Sequence, residues 1–193
     1  EVLANINRSN IATDSFRQFI DFANSQSDGS LSYSEIILAL PGDTKEKHLK
    51  SLRSGIENNV NTLRMYQAMM LMGTSMASQE TRDRFDLGTR SRVMPGGIGV
   101  YKFGDVEIPV VETEEIIVSS KDMSFDDYVS CRVMNLLVET YINNDLFEEV
   151  FASLEAMGIK TFDVLERLHA DVGSFSPRIT RIIESFIRET VDD

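Results

Sequence analysis

The stretch SEIILALPGDT, residues 34 to 44, limits the fold more than any other part of the chain. Its apolar run from Ile36 to Leu40 is too short for a full helix. It is rich enough in Ile and Leu for a strand buried on both faces, as a parallel sheet requires. Pro41-Gly42 stops the run, and Asp43 or Thr44 can cap the amphipathic helix DTKEKHLKSLRSGIENN, whose Leu49, Leu52 and Ile56 share one face. TLRMYQAMMLM then reads as a second strand, ended by Gly73-Thr74. Upstream, Val2, Leu3 and Ile6 lie on one helical face closed by Asn7-Arg8-Ser9-Asn10. Thr13 or Asp14 can cap a further helix carrying Phe16, Phe19, Ile20 and Ala23, and Asp28-Gly29 makes a turn. Helix, strand, helix, strand at this spacing predicts an α/β fold with a parallel sheet or barrel.

The middle of the chain is less regular. MPGGIGVYKFGDVEIPV is full of Gly and Pro and predicts a loop with short extended pieces, and EEIIVSS predicts one more strand. From Ser124 the period turns helical. Ser124 is the expected N-cap, with Asp127 at the capping-box position, and Val129, Val133, Leu136, Leu137 and Tyr141 recur at helical spacing. DLFEEVFASLEAMG, TFDVLERLHADVG and SPRITRIIESFIRETV extend this to a set of helices.

Composition narrows the function classes. At 193 residues the chain can bury a substantial core, and its formal charge of -12 repels nucleic-acid phosphates and anionic lipid. No basic patch offsets that charge, so neither nucleic acid nor membrane is an expected partner. The single cysteine, Cys131, excludes an internal disulfide framework and any thiolate cluster built by this chain alone, which fits a reducing cytoplasm. No apolar run has the length of a membrane span. The opening EVLANINRSN has neither an initiator Met nor a signal pattern, which predicts a piece of a longer protein.

Most residues with possible chemistry have a plainer role. His48 and His169 are expected to be solvated or capping, and Cys131 to be a buried, inert thiol. Glu112, Glu114, Glu115, Asp122, Asp126 and Asp127 lack the ligand spacing of a calcium loop and predict a solvated acidic surface. PGGIG has no strand before it and no helix after it, so it is loop rather than a phosphate cradle. The methionines at 65, 69, 70, 72 and 76 predict adaptable core.

Glu35 and Arg8 stand apart. A carboxylate beside a buried strand needs donors or a cation, and at the rim of a parallel sheet a ligand's hydroxyl pair is the usual partner. A guanidinium at a helix end offers a fork matched to a carboxylate. Together Glu35 and Arg8 would suit a nucleoside attached to an amino acid.

The segment SEIILALPGDTKEKHLKSLRSGIENNVNTLRMYQAMMLMGT resembles part of the radical S-adenosylmethionine enzymes. In those proteins an Asp or Glu precedes a hydrophobic strand ending in G-L-P-G-x-T, followed by a helix and a strand ending in L-x-G-T. VLANINRSNI resembles the helix with an R-x-N end that precedes that strand. RSRVMPGGIGVY and ETEEIIVSSKDMSFDDYVSCRVMNLLVE are similar to segments of the group with an N-terminal cobalamin-binding domain. The resemblance covers roughly residues 1 to 145, and Ala39 departs from the Gly usual in the motif.

The resemblance implies the C-terminal portion of a partial (β/α) TIM-type barrel followed by an α-helical tail. Residues 1–95 would be the C-terminal half of the barrel, 96–123 an irregular Gly/Pro-rich connection with a strand, and 124–193 the helical tail. It implies S-adenosylmethionine bound across the strand ends, a 4Fe-4S cluster held by an upstream CxxxCxxC loop outside this chain, and cobalamin on a further domain. By the same resemblance Glu35 binds the ribose hydroxyls, Arg8 lies near the methionine carboxylate, and the backbone around Leu38 and Ala39 contacts the adenine. The whole protein would act on a small-molecule metabolite, by a 5′-deoxyadenosyl radical or by methyl transfer through cobalamin. This chain alone would be inactive and, with uncovered strand edges, would self-associate. The competing expectation is a helical docking module on an α/β support, without catalysis of its own.

Overall fold

A computed structural model describes residues 2–6, 8–11, 13–25 and 31–192. The expected Asp28-Gly29 turn and Asn7 lie outside the described residues. A 3-10 turn, Leu3–Ile6, opens the chain and is followed by helix α1, Thr13–Ser25. Strand β1, Tyr33–Leu38, helix α2, Lys45–Glu57, and strand β2, Thr62–Gln67, make one right-sized crossover unit in which β1 and β2 pair in parallel. Thr44 is the α2 cap: its hydroxyl accepts from the Lys47 N–H at 3.2 Å. The rhythm anticipated for this part of the chain is therefore present as a mixed α/β fold.

The two faces of β1 differ, contrary to the expectation of a strand buried on both. Leu38 and Ile36 join Leu63 and Met65 of β2 against the helices, and Leu38 and Leu63 are fully buried. Tyr33 and Glu35 lie on the other face with Arg64 and Tyr66, and all four are exposed. The alternation follows from the period of two along a strand, and only toward the strand's end is the second face covered, where Ile37 is half-buried against the apolar cluster. Within α1 the same one-sidedness holds: Ile20 is buried, whereas Phe19 is exposed.

Beyond a short helix α3, Gln79–Phe85, two long strands form an antiparallel hairpin, β3, Gly88–Phe103, and β4, Val106–Ser119. This replaces the loop expected over MPGGIGVYKFGDVEIPV. A two-residue connection, Gly104-Asp105, joins the strands with Gly104 at φ 63°, the left-handed backbone such turns need. Residues 94–97 lie between the paired Val93↔Thr113 and Ile98↔Val111, opposite Glu112 alone, so PGGIG sits at a bulge. The base of the hairpin meets the first sheet: the Met70 N–H donates to the Glu115 carbonyl at 2.8 Å, and the Ile117 N–H to that of Ala68 at 2.9 Å.

The chain closes with α4, Phe125–Tyr141, α5, Glu148–Ala156, α6, Thr161–Ala170, and α7, Pro177–Asp192, matching the helical periods in the sequence. Ser124 caps α4 by accepting from the Asp127 N–H at 3.1 Å, while its hydroxyl donates to the Asp127 carboxylate at 2.7 Å rather than completing a reciprocal box. One apolar cluster combines Ile20, Leu52, Ile56 and Leu63 with Met134, Val138, Phe162 and Leu165. The helical close thus shares a core with the sheet. No described helix is long and apolar enough to cross a membrane.

Candidate functional site

The exposed face of the parallel pair gathers the polar side chains with the most chemical promise. Register places Tyr33 beside Thr62, Glu35 beside Arg64 and Ile37 beside Tyr66. Adjacent strands run about 4.8 Å apart, so Glu35 and Arg64 stand as neighbours of opposite charge. Among the described residues neither forms an ion pair or a side-chain hydrogen bond. A cleft of about 470 Å³ opens here, lined by Leu31, Ser32, Tyr33, Glu35, Arg64 and Tyr66, with Thr62. A larger cleft of about 960 Å³ lies on the far side of β1, toward α1 and α2, and Glu35 borders it as well.

The other expected site residues fall in different surroundings. Arg8 is exposed just after the first turn, its N–H donating to the Leu3 carbonyl at 2.9 Å, and its side chain lines neither cleft. The structure thus brings Glu35 together with Arg64, which sequence reasoning passed over. The alternation of β2 would have found it, since Arg64 is the charged member of the Thr62, Arg64, Tyr66 face. Leu38 and Ala39 are buried under the hairpin base, and the Leu38 carbonyl accepts from the Ala68 N–H at 3.0 Å. Ala39 has φ 66°, a conformation that glycine adopts without the steric cost an alanine meets.

Behind this strand end lies a buried polar group, Asp43, expected only as an alternative cap of α2. Asp43 is 6% exposed, and its carboxylate accepts from the Thr44 N–H at 2.9 Å and from the Ala39 backbone. Burial outweighs those bonds and pushes its pKa up to about 6. His48, four residues into α2, is also buried, against the expectation of a solvated or capping role. Its Nε2–H donates to the Asn135 Oδ1 at 2.8 Å, tying α2 to α4, and burial lowers its pKa. His169 is half-buried and its Nε2 lies 2.9 Å from the Ser130 carbonyl, so it too bridges helices rather than facing solvent.

Of the acidic residues, Glu112, Asp122 and Asp126 are exposed as expected of a solvated surface, whereas Glu114 and Glu115 are paired. Glu115 receives both Arg82 Nη atoms at 2.7 Å and the Thr89 hydroxyl at 2.5 Å, which holds its pKa down to about 2. Glu114 receives Arg92 at 2.6 Å. Among the described residues no group of His, Cys, Asp or Glu is placed to hold a metal ion. Cys131 is fully buried, and burial pushes its thiol up to about 12, so it is an inert packing residue. Cys131, the single cysteine of the sequence, is therefore not placed to ligate a cluster. Met70 is core as expected, while Met72 and Met69 are exposed. No family model matches the chain, and no curated protein matches it. Fold and site together define a mixed α/β protein with an open, polar and aromatic face on its parallel strands.

Proposed function

We propose that this chain is part of a radical S-adenosylmethionine enzyme of the cobalamin-binding group, and that the face carrying Glu35 is the ribose side of its cofactor site. The observation that carries the reading is the state of Glu35: a carboxylate on a parallel strand, with no ion pair among the described residues, bordering two clefts. Such a group has both lone-pair sets available to a diol. The left-handed backbone at Ala39 supports the reading, because the motif this segment resembles has Gly at that place. On this reading the exposed face of β1 and β2 is the lumen of a partial (β/α) barrel. The residues here bind and orient S-adenosylmethionine, while a cluster held outside the chain would supply the electron for its cleavage.

Calorimetric titration of the chain with S-adenosylmethionine tests the proposal. Saturable binding that falls at least tenfold in Glu35→Gln is expected, and equal affinity in the two proteins would refute it. The reading also requires a CxxxCxxC motif in the gene upstream of Glu1; a gene without one sinks it. The exposed Ile98, Val100, Phe103 and Val106 of the hairpin and the unpaired edge of β1 support self-association of the isolated chain. Light scattering that gives a monomer at high concentration would count against that part.

A further inference from the structure

Arg64 is the charge that the proposed cofactor site leaves unused. It lies in register with Glu35 on the exposed face, inside the 470 Å³ cleft, between the half-exposed ring of Tyr66 and the exposed ring of Tyr33. Three arginines of the fold pair with carboxylates, Arg53 with Asp163 and Glu166, Arg82 with Glu115 and Arg92 with Glu114, whereas Arg17 and Arg90 donate to neutral oxygens of Asn58 and Val191. Arg64 has a carboxylate on the neighbouring residue and still makes no ion pair with it. A guanidinium with no ion pair among the described residues presents its planar fork to an incoming anion. In a chain of net charge -12 a small anion is repelled from most of the surface, so a cation set in a cleft is a local reversal of the field.

We propose that Arg64 is a specificity-determining residue of this site, and that it binds a carboxylate or phosphate carried by the substrate. The ring faces of Tyr33 and Tyr66 offer an apolar body beside that anion a surface to pack on. That the anion belongs to substrate rests on the proposed function. There, the resemblance assigns Glu35 to the ribose, the strand end around Leu38 and Ala39 to the adenine and Arg8 to the methionine carboxylate; Arg8 lines neither cleft, so the S-adenosylmethionine affinity of Arg64→Gln is what separates a substrate contact from a cofactor contact. The neighbouring Glu35 carboxylate would repel a lone anion at close range. Hydroxyls bound to Glu35 and a sulfonium near it reduce that repulsion, so anion and cofactor should bind with positive coupling.

The test is a titration of the whole chain with benzoate and with inorganic phosphate, each with and without S-adenosylmethionine, followed through the Arg64 Nε–H and the Tyr33 and Tyr66 ring resonances. Saturating shifts are expected that vanish in Arg64→Gln, persist in Arg8→Gln, and tighten severalfold when S-adenosylmethionine is present. Tighter benzoate identifies a carboxylate, and tighter phosphate a phosphoryl group. Absence of saturation with both probes overturns the inference. So does an Arg64→Gln protein whose S-adenosylmethionine affinity falls as far as that of Glu35→Gln, because Arg64 would then belong to the cofactor. Anion binding at Arg64 in a chain that does not bind S-adenosylmethionine would instead refute the proposed function and leave the anion site standing.

Discussion

Replacing Asp43 by Asn should stabilise the protein at neutral pH, although Asp43 sits in a motif and makes two backbone hydrogen bonds. Its carboxyl has a pKa of about 6 in the fold against 3.8 when unperturbed, with burial as the largest cause. At about 1.4 kcal/mol per pH unit, this difference amounts to roughly 3 kcal/mol of destabilisation once both states are ionised. Below pH 3.8 both states are protonated and nothing is lost. As pH rises from there the unfolded chain gives up its proton first, so stability falls until the folded group has also ionised, above pH 6. Asn keeps an oxygen for the Thr44 N–H and the Ala39 N–H without a charge to desolvate. A gain of about 1–3 kcal/mol at pH 7.5 is therefore expected, shrinking toward zero near pH 4. Urea unfolding of both proteins between pH 4 and 8 measures it. Loss of stability in Asp43→Asn at pH 7.5 would show that the charge-assisted bonds outweigh burial, and the argument would fail.

Other substitutions probe the packing around the site. In Gly55→Ala the new Cβ would lie 2.6 Å from the Leu63 Cδ2, in a core where Leu63 is fully buried. Relief of glycine's helix penalty, about 1 kcal/mol, is opposed by about 1–3 kcal/mol of overpacking, so a lower urea midpoint is expected. Glu115→Gln breaks the two-pronged contact with Arg82 and should cost about 1 kcal/mol, partly exposed as the pair is. Because the Glu115 pKa lies near 2, wild type should lose this advantage as pH falls from 4.5 toward 2, and a pH-independent difference would contradict the assignment. His48→Gln should lower stability by roughly 1–2 kcal/mol at pH 7.5 through lost core packing, a deficit that shrinks as pH falls below 6.5 because the variant loses the acid-side penalty of His48; a profile parallel to wild type would rule out His48 as a titrating group.

Much of the fold could be read because helices and buried strands announce themselves by period. Leu52 and Ile56 fix the inward face of α2, and extending that stripe one turn back reaches His48, so its burial was legible in the spacing. The open face of β1 was legible too: alternation from Tyr33 separates Tyr33 and Glu35 from Ser34, Ile36 and Leu38, but the compact run of Ile and Leu masks it. The hairpin was harder. Its strands project with Val100, Phe103 and Val106 exposed, so no buried face imposes a clean apolar pattern, and the bulge at 94–97 interrupts the count. The signal that survives is Gly104-Asp105 between two β-prone runs, a two-residue turn in which glycine meets the positive φ. Arg64 was hidden for another reason. Its significance depends on the register that sets it against Glu35, and pairing between strands separated by a helix is a tertiary fact.

The same crossover carries two buried groups whose titrations oppose one another. Asp43, just before α2, favours the fold as pH falls from about 6 to 3.8, because the folded state takes up the proton first. His48 acts in the other direction. Burial lowers its pKa, so the unfolded chain protonates first, and the stability present above pH 6.5 is lost as pH falls through the depressed folded value. Over the shared acid range each change offsets part of the other, so wild type should respond to pH less than either single variant. The compensation has a structural cause. Asp43 fixes the turn at Ala39 that ends β1, and His48 fastens the first turns of α2 to Asn135 on α4. Both polar groups are buried at the same end of the crossover, where they line the larger cleft. Glu35, on the exposed face of the same strand, makes no ion pair among the described residues.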